Sequence, residues 1–389
     1  MAEAVSFAER FGREPTVLVR SPGRVNIIGE HTDYNQGYVL PAAIDRYNKL
    51  AAAPRTDRML NVYSEAIDER VEIDLGGHLG LLGETSHWGN YLRGVVWWLR
   101  EHGYTVVGAD VLVWGDLPVG AGLGSSASLL MGMMATLTAL VSHEIPRRQM
   151  AQACQNIEND FIGVPTGIMD PLVTGLAQPK SALLIDCRSL DTIPVPFNPA
   201  SHGLSMVIVD SGIRRDIADS EYARRRRECE EALGALRVIT YDLQLQSLRD
   251  VTPEMLSQHG RKLYPTLYKR AHHVVTENQR VLQAVDALKS EDFERLGQLM
   301  NQSHESLRTD FEVSNAFIDR LVELAQQQEG VLGARLTGGG FGGCTVNLIR
   351  NQAMRDFSRN VVRRYTEETS IQAVPYVVRP VGGLEVERL

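Results

Sequence analysis

The sequence predicts an α+β fold built as two domains. Its 389 residues exceed one typical domain. Strand-like stretches lie at the edges of both halves, whereas helical periodicity fills the middle of the second half. The two kinds of element do not alternate as they would in a strict βαβ chain.

Taken in order, the strand-like stretches are 16–19, 106–113, 182–185, 205–209 and 344–349, each β-branched or aliphatic and bounded by turn residues. Helical periodicity is clearest over 129–141, 147–160, 220–236, 263–288, 293–311 and 315–328. The apolar stretch 129–141 is interrupted by Thr136 and Thr138 and is too short to span a bilayer, so it predicts a buried helix. The segment NPASHG near residue 200 is the most loop-like point near the middle. It divides the chain into domains 1–200 and 201–389, to within about 15 residues.

Bulk composition excludes several function classes. Hydrophobic residues make up 43% and charged residues 23%, the balance of a globular protein with a sizeable core. The net charge of −8 argues against a nucleic-acid partner, which calls for a basic surface. The run Arg224 to Arg227 is a local exception, followed at once by Glu228, Glu230 and Glu231, and reads as a solvated helix face with paired charges. Cys154, Cys187, Cys229 and Cys344 are scattered with no C-x-x-C pair, which fits a reducing cytosol and supports neither a disulfide framework nor a zinc site. The opening MAEAVSFAER carries Glu3 and Glu9 and lacks an apolar core, so no signal peptide is expected and the cytoplasm is the expected location.

Four segments carry chemistry. In LPVGAGLGSSAS (117–128), Gly120, Gly122 and Gly124 let the backbone turn tightly and approach a ligand, while Ser125 and Ser126 fall at a predicted helix start. Such a turn is a phosphate site, because free N–H groups and the helix dipole both point at it; a plain capped loop is the alternative. No Walker A motif exists, and no lysine occurs between Lys49 and Lys180. Phosphate held here would depend on backbone amides, serine hydroxyls, a metal and arginine. In SPGRVNIIGEHTD (21–33), Arg24, Asn26, Glu30, His31 and Asp33, with Asn35 just beyond, crowd a partly apolar turn. Burying them for packing alone is costly, and they suit a pocket for a polyhydroxylated ligand; a solvated surface loop is the alternative.

The third segment, ENDFIGVPTGIMD (158–170), places Asp170 between Ile168–Met169 and Pro171–Leu172, an acid in apolar surroundings. Glu158, near the end of a predicted helix, is a candidate Mg²⁺ ligand. The fourth, LTGGGFGG (336–343), satisfies G-x-G-x-x-G at Gly338, Gly340 and Gly343. The strand-like CTVNLI that follows stands where a dinucleotide fold needs a helix, so a flexible close-approach loop remains.

GRVNIIGEHTDY at 23–34, LPVGAGLGSSAS and LTGGGFGG together resemble the galactokinase branch of the GHMP (galacto-, homoserine, mevalonate and phosphomevalonate) kinase superfamily. TGIMD at 166–170, LLIDCRSL at 183–190, SEYARRRRECEE at 220–231 and the region 269–311 resemble it too, so the likeness covers nearly the whole chain. The first motif is the specific one; the glycine loop alone names only the superfamily.

The resemblance implies the two-domain GHMP kinase fold, with a mixed-sheet N-terminal domain, an α/β C-terminal domain and the active site in the cleft between them. The C-terminal strand would return to the first domain. It implies ATP-dependent phosphorylation, with Mg²⁺, of the anomeric hydroxyl of galactose. Asp170 would sit by that hydroxyl with Arg24 beside it, and proton removal would be late. Glu30, His31, Asp33, Gly167 and Tyr222 would hold the other hydroxyls. Gly120, Gly122, Gly124, Ser125 and Ser126 would wrap the phosphates, with Ser126 and Glu158 on the metal. Trp88 would pack near adenine, and Gly338, Gly339, Gly340 and Phe341 would complete the cleft. Partners would be sugar and ATP, without nucleic acid or membrane, and the protein a monomer or weak dimer. Three positions depart from the family pattern: Gly124 stands where many members have a further serine, and Thr166 and Pro171 where Cys and Gln are common. Kinases for N-acetylgalactosamine or arabinose, and a non-catalytic galactose and ATP sensor on the same fold, are the alternative readings.

Overall fold

The computed structural model describes residues 2–84, 87–214, 221–241 and 244–389. Its strands are β1 (Val17–Ile28), β2 (Tyr38–Pro54), β3 (Met59–Ser64), β4 (Glu69–Asp74), β5 (Ala109–Gly115), β6 (Ser181–Asp186), β7 (Thr192–Pro196), β8 (Leu204–Asp210), β9 (Val331–Thr337), β10 (Cys344–Arg350), β11 (Val374–Val378) and β12 (Glu385–Arg388). The first sheet has eight strands in the order β12-β1-β2-β5-β3-β4, with β6 on β2 and β7 on β6. It is mixed, since β3 pairs parallel with β5 and the other pairs run antiparallel. The second sheet, β11-β8-β10-β9, is antiparallel throughout. The chain crosses between sheets through the 3₁₀ turn Pro199–His202, and β12 rejoins the first sheet beside β1.

Two differences from the sequence expectation position the site. The expected strand 16–19 runs on to Ile28, so Arg24 and Asn26 belong to a strand and not to a turn. Its pairing with β2 shifts register at Pro22/Gly23 and again at Asn26/Ile28, where bulges re-aim side chains. The strand is buried on both faces from Ser21 onward, which removes the period-2 alternation that identifies a half-exposed strand. Further along, the helix expected over 147–160 splits into Arg147–Asn156 and a π-helical turn, Ile157–Ile162, and this widened turn carries Glu158.

The buried helix is Ser125–Leu140, and its first turn is the SSAS of the glycine loop. Its two threonines return their hydroxyls to the helix, Thr136 to Gly132 O (2.8 Å) and Thr138 to Met134 O (2.9 Å), so the polar groups are satisfied. Ser128 Oγ donates to Ser21 O (2.8 Å) and ties the helix to β1. Both sheets share a core in which Val25 and Ile27 of β1, Met206 and Ile208 of β8, and Val281 and Val285 of the helix Pro265–Lys289 pack together. That shared core fixes the two halves against each other across the cleft.

The arginine run lies on the helix Glu221–Ile239; Ser220, with which the expected helix begins, lies outside the described residues. Arg226 pairs with Glu230 at i,i+4, as a solvated face would, whereas Arg224 reaches the buried Glu228. Arg225 departs from that reading: it is buried and donates to Phe311 O (2.7 Å), because this face packs against the rest of the second domain.

Candidate active site

A cavity of about 440 Å³ opens between the two halves, within the size range of small-molecule sites. β1 and the turn after it supply Arg24, Glu30, His31 and Asp33; the glycine loop supplies Gly120, Gly122, Gly124, Ser125 and Ser126; the π-turn supplies Glu158, the loop after it Thr166 and Gly167, and the next helix Asp170. The second half adds Arg214, Glu221, Tyr222, Gly338, Gly339, Gly340 and Phe341. Of the residues singled out from sequence, Asn26, Asn35, Trp88 and Gly343 are not among those lining the cavity. The Trp88 indole N–H donates to Glu69 Oε2 (2.8 Å) at the start of the helix Gly89–Glu101.

Arg24 and Asp170 meet at the centre. Asp170 occupies the first turn of the helix Met169–Leu176. Arg24 Nε donates to Asp170 Oδ1 (2.8 Å) and Nη2 to Oδ2 (2.6 Å), a bidentate fork, while Nη1 donates to Gly122 O of the glycine loop. Burial works against the Arg24 charge, but Asp170 outweighs it and raises its pKa, so the guanidinium stays charged. The buried arginine therefore ties the acid to the loop, and a reacting atom beside Asp170 lies next to the loop's N–H groups.

The glycine loop adopts the conformation its sequence permits. Gly120, Gly122 and Gly124 have φ of 72°, 79° and 75°, left-handed values that turn successive N–H groups inward. Serines 125 and 126 then begin the 16-residue helix, whose dipole points the same way. A Cβ on Gly124 would lie 3.2 Å from Arg24 Cγ, so the third serine of other family members would crowd the arginine here.

The acids differ in environment. Burial pushes the Glu158 carboxyl up to about 7, with nearby Asp170 adding to the shift. Its hydrogen bonds come from hydroxyls: Thr166 Oγ1 donates to Oε2 (2.7 Å), and Ser126 also contributes. Thr166, a departure from the family pattern, thus takes part in the site. Burial, then repulsion from Asp170 and Glu30, raises Asp33 to about 6, against a backbone hydrogen bond from Tyr34. Glu30 is buried and accepts from Asn26 Nδ2 (2.9 Å) and Gly338 N (2.8 Å), and it pairs with the fully buried Arg335 (3.4 Å). It joins the segment 21–33 to the segment 336–343. His31 Nδ1 lies 2.8 Å from Tyr34 Oη, and its ring packs on Tyr222 and Phe311 with centroids 5.4 and 4.6 Å away.

Gly167 is required by its neighbour. A Cβ there would lie 1.5 Å from Asp33 Oδ2. Gly167→Ala must displace that carboxylate, and it is expected to raise the KM for sugar about tenfold or more while thermal stability changes little. An unchanged sugar KM would place Asp33 outside the substrate's reach.

Sequence reading missed Arg214 and Arg335. Arg214 donates to Asp210 Oδ2 (2.8 Å), lines the cavity and stands 3.9 Å from a Cβ placed on Gly120. The lysine-free loop called for an arginine, and the one signal was the position of Arg214 just past a predicted strand end. No local pattern marks Arg335, which reaches Glu30 only through the fold.

Comparison with known proteins follows the same lines. Residues 5–54 match the galactokinase galactose-binding signature, 90–177 the GHMP kinases N-terminal domain and 284–366 the GHMP kinases C-terminal domain. The galactokinase of Roseiflexus sp. (strain RS-1) is 43% identical over 97% of this chain and 95% of that relative. That of Chloroflexus aggregans is 41% identical over the same shares. The crystal structure of Lactococcus lactis galactokinase complexed with galactose superposes with a TM-score of 0.92 at 36% identity, covering 100% of this chain and 99% of that one. A mevalonate kinase, at 17% identity and a TM-score of 0.66 over 93% and 98%, shares the fold.

Proposed function

The chain belongs to the galactokinase family of GHMP kinases, and from that premise we propose that it transfers the γ-phosphate of ATP to the anomeric hydroxyl of D-galactose, giving galactose 1-phosphate and ADP. The observation that carries this reading is the Arg24 fork, which joins Asp170 to Gly122 and so sets an acceptor for a proton against a phosphate-binding loop.

Phosphoryl transfer passes through a loose transition state, so positioning and charge stabilisation dominate. Glu30, His31, Asp33 and Tyr222 line the sugar half, and Asp170 receives the proton of the anomeric hydroxyl late, as the new P–O bond forms. Gly120 to Ser126 offer backbone N–H groups to the phosphates; Arg214 adds a guanidinium at the same loop. Ser126 and Glu158 fit a hard dication, because a buried carboxylate and a hydroxyl converge in the cavity. Mg²⁺ there would neutralise phosphate charge. Gly339, Gly340 and Phe341 close the opposite wall.

The reading also divides the chain near residue 200, with β12 returned to the first half. Among the described residues no helix is long and apolar enough to cross a membrane, and all four cysteines are free and buried, which supports a cytoplasmic location.

A coupled assay of ADP release with galactose, N-acetylgalactosamine, arabinose and glucose tests the proposal. Galactose is expected to give the highest kcat/KM. A higher value for another sugar reassigns the substrate, and binding of galactose and ATP without ADP release marks a sensor.

A further inference from the structure

The turn that presents Glu30 and His31 is held by side chains from outside its own strand. β1 ends at Ile28, and His31 has a φ of 62°, a left-handed value disfavoured for a residue with a Cβ. Local bonds hold only part of the turn: Thr32 Oγ1 donates to Gly29 O (2.9 Å) and Asn35 Nδ2 to His31 O (2.9 Å). Two further anchors, on the backbone of Gly29 and Glu30, come from one helix, Pro265–Lys289, one helical turn apart. Gly29 N–H donates to Glu277 Oε1 (2.9 Å), and His273 Nε2 lies 3.1 Å from Glu30 O.

The protonation states suit this arrangement. Burial lowers His273 to about 4, so its ring is neutral. Glu30 O only accepts, which places the ring proton on Nε2 and leaves Nδ1 facing Ser306 Oγ at 2.9 Å. Burial opposes the Glu277 charge, but Arg280, His273 and Arg335 outweigh it and hold the carboxyl down at about 2. The His273 ring also packs on Phe311 (4.5 Å between centroids), which packs on His31 (4.6 Å). One helix thus fixes both the backbone before His31 and the ring beneath it.

We propose that His273 and Glu277 are positioning residues for the sugar subsite, clamping Gly29 and Glu30 so that the turn keeps its left-handed form and Glu30 and His31 face the cavity before sugar arrives. Strain in such a turn persists only where its surroundings over-determine it, and a turn allowed to relax has to be reordered at the expense of sugar affinity. The inference rests on the reading that Glu30 and His31 line the sugar half.

Steady-state kinetics of His273→Leu, His273→Gln and Glu30→Gln, each with a thermal melt, test it. Leu fills the volume without a donor and is expected to raise the sugar KM about tenfold, with the KM for ATP and kcat within about threefold. Gln supplies an N–H and is expected to recover most of the loss. An unchanged sugar KM in His273→Leu, or an ATP KM that rises in step, overturns the clamp. If Glu30→Gln also leaves the sugar KM unchanged, the sugar-subsite reading itself fails, which separates the two claims. Should His273→Leu not fold, Ser306→Ala removes the hydroxyl facing Nδ1 together with its bond to Asp310 Oδ2 (3.0 Å). An increase of about threefold in sugar KM is then expected, and no increase overturns the clamp.

Discussion

Asp170→Asn is expected to bind galactose with a Kd within about threefold of the parent protein while kcat falls by about 10³-fold. The amide keeps the shape, and its one carbonyl oxygen still accepts from Arg24 although the second bond of the fork is lost; the residues of the sugar half are untouched, but the amide cannot take up the hydroxyl proton. The substitution also removes the charge partner of an arginine that is 4% exposed. A buried cation without its carboxylate is destabilising, so the melting temperature is expected to drop as well. Calorimetric titration with galactose, run beside single-turnover kinetics, separates the chemical loss from the loss of stability. Near-parental turnover would remove Asp170 from the reaction.

Asp33→Asn is expected to have opposite effects on function and stability. In the folded protein this carboxyl titrates at about 6, above its ordinary value of 3.8, chiefly because burial disfavours the charge. The folded state therefore binds the proton more tightly than the unfolded chain does. The resulting stability is fully present below about pH 4 and is lost as pH rises through about 6. Asn never ionises, so the variant is expected to melt with the parent at pH 4 and several degrees above it at pH 8. It loses a charged acceptor for a sugar hydroxyl, and the sugar KM at pH 8 is expected to rise by about tenfold or more. In the parent the sugar KM is expected to climb as pH falls through 6. A variant that melts below the parent at pH 8 would show that the Asp33 charge is compensated in the fold.

Much of the site was legible because its groups lie in short motifs. Gly120, Gly122 and Gly124 announce their left-handed turns, and Ser125 and Ser126 the helix start. Arg24, Glu30 and Asp33 stand out because polar groups in an apolar segment need partners. The strand under them was not legible, for β1 is buried on both faces and bulged twice, so period 2 disappears. The long strand β2, rich in alanine and with Asp45, Arg46 and Lys49 in a half-buried middle stretch, also lacks the alternation that marks a strand. Arg335, His273 and Glu277 act on the segment 21–33, and Arg214 on the glycine loop, from far along the chain, and sequence separation conceals such pairs until the fold closes. Trp88 shows the converse, a residue marked by resemblance that the cavity lining does not include.

The central claim is that this cavity moves a phosphoryl group to the anomeric oxygen of galactose. Phosphorus NMR of a mixture of the protein, ATP, Mg²⁺ and D-galactose tests it most directly. The account predicts one equivalent of ADP for each galactose 1-phosphate, identified by its anomeric coupling, and neither product with Asp170→Asn on the same timescale. Phosphate on another hydroxyl, or intact ATP after prolonged incubation with the active protein, would contradict it.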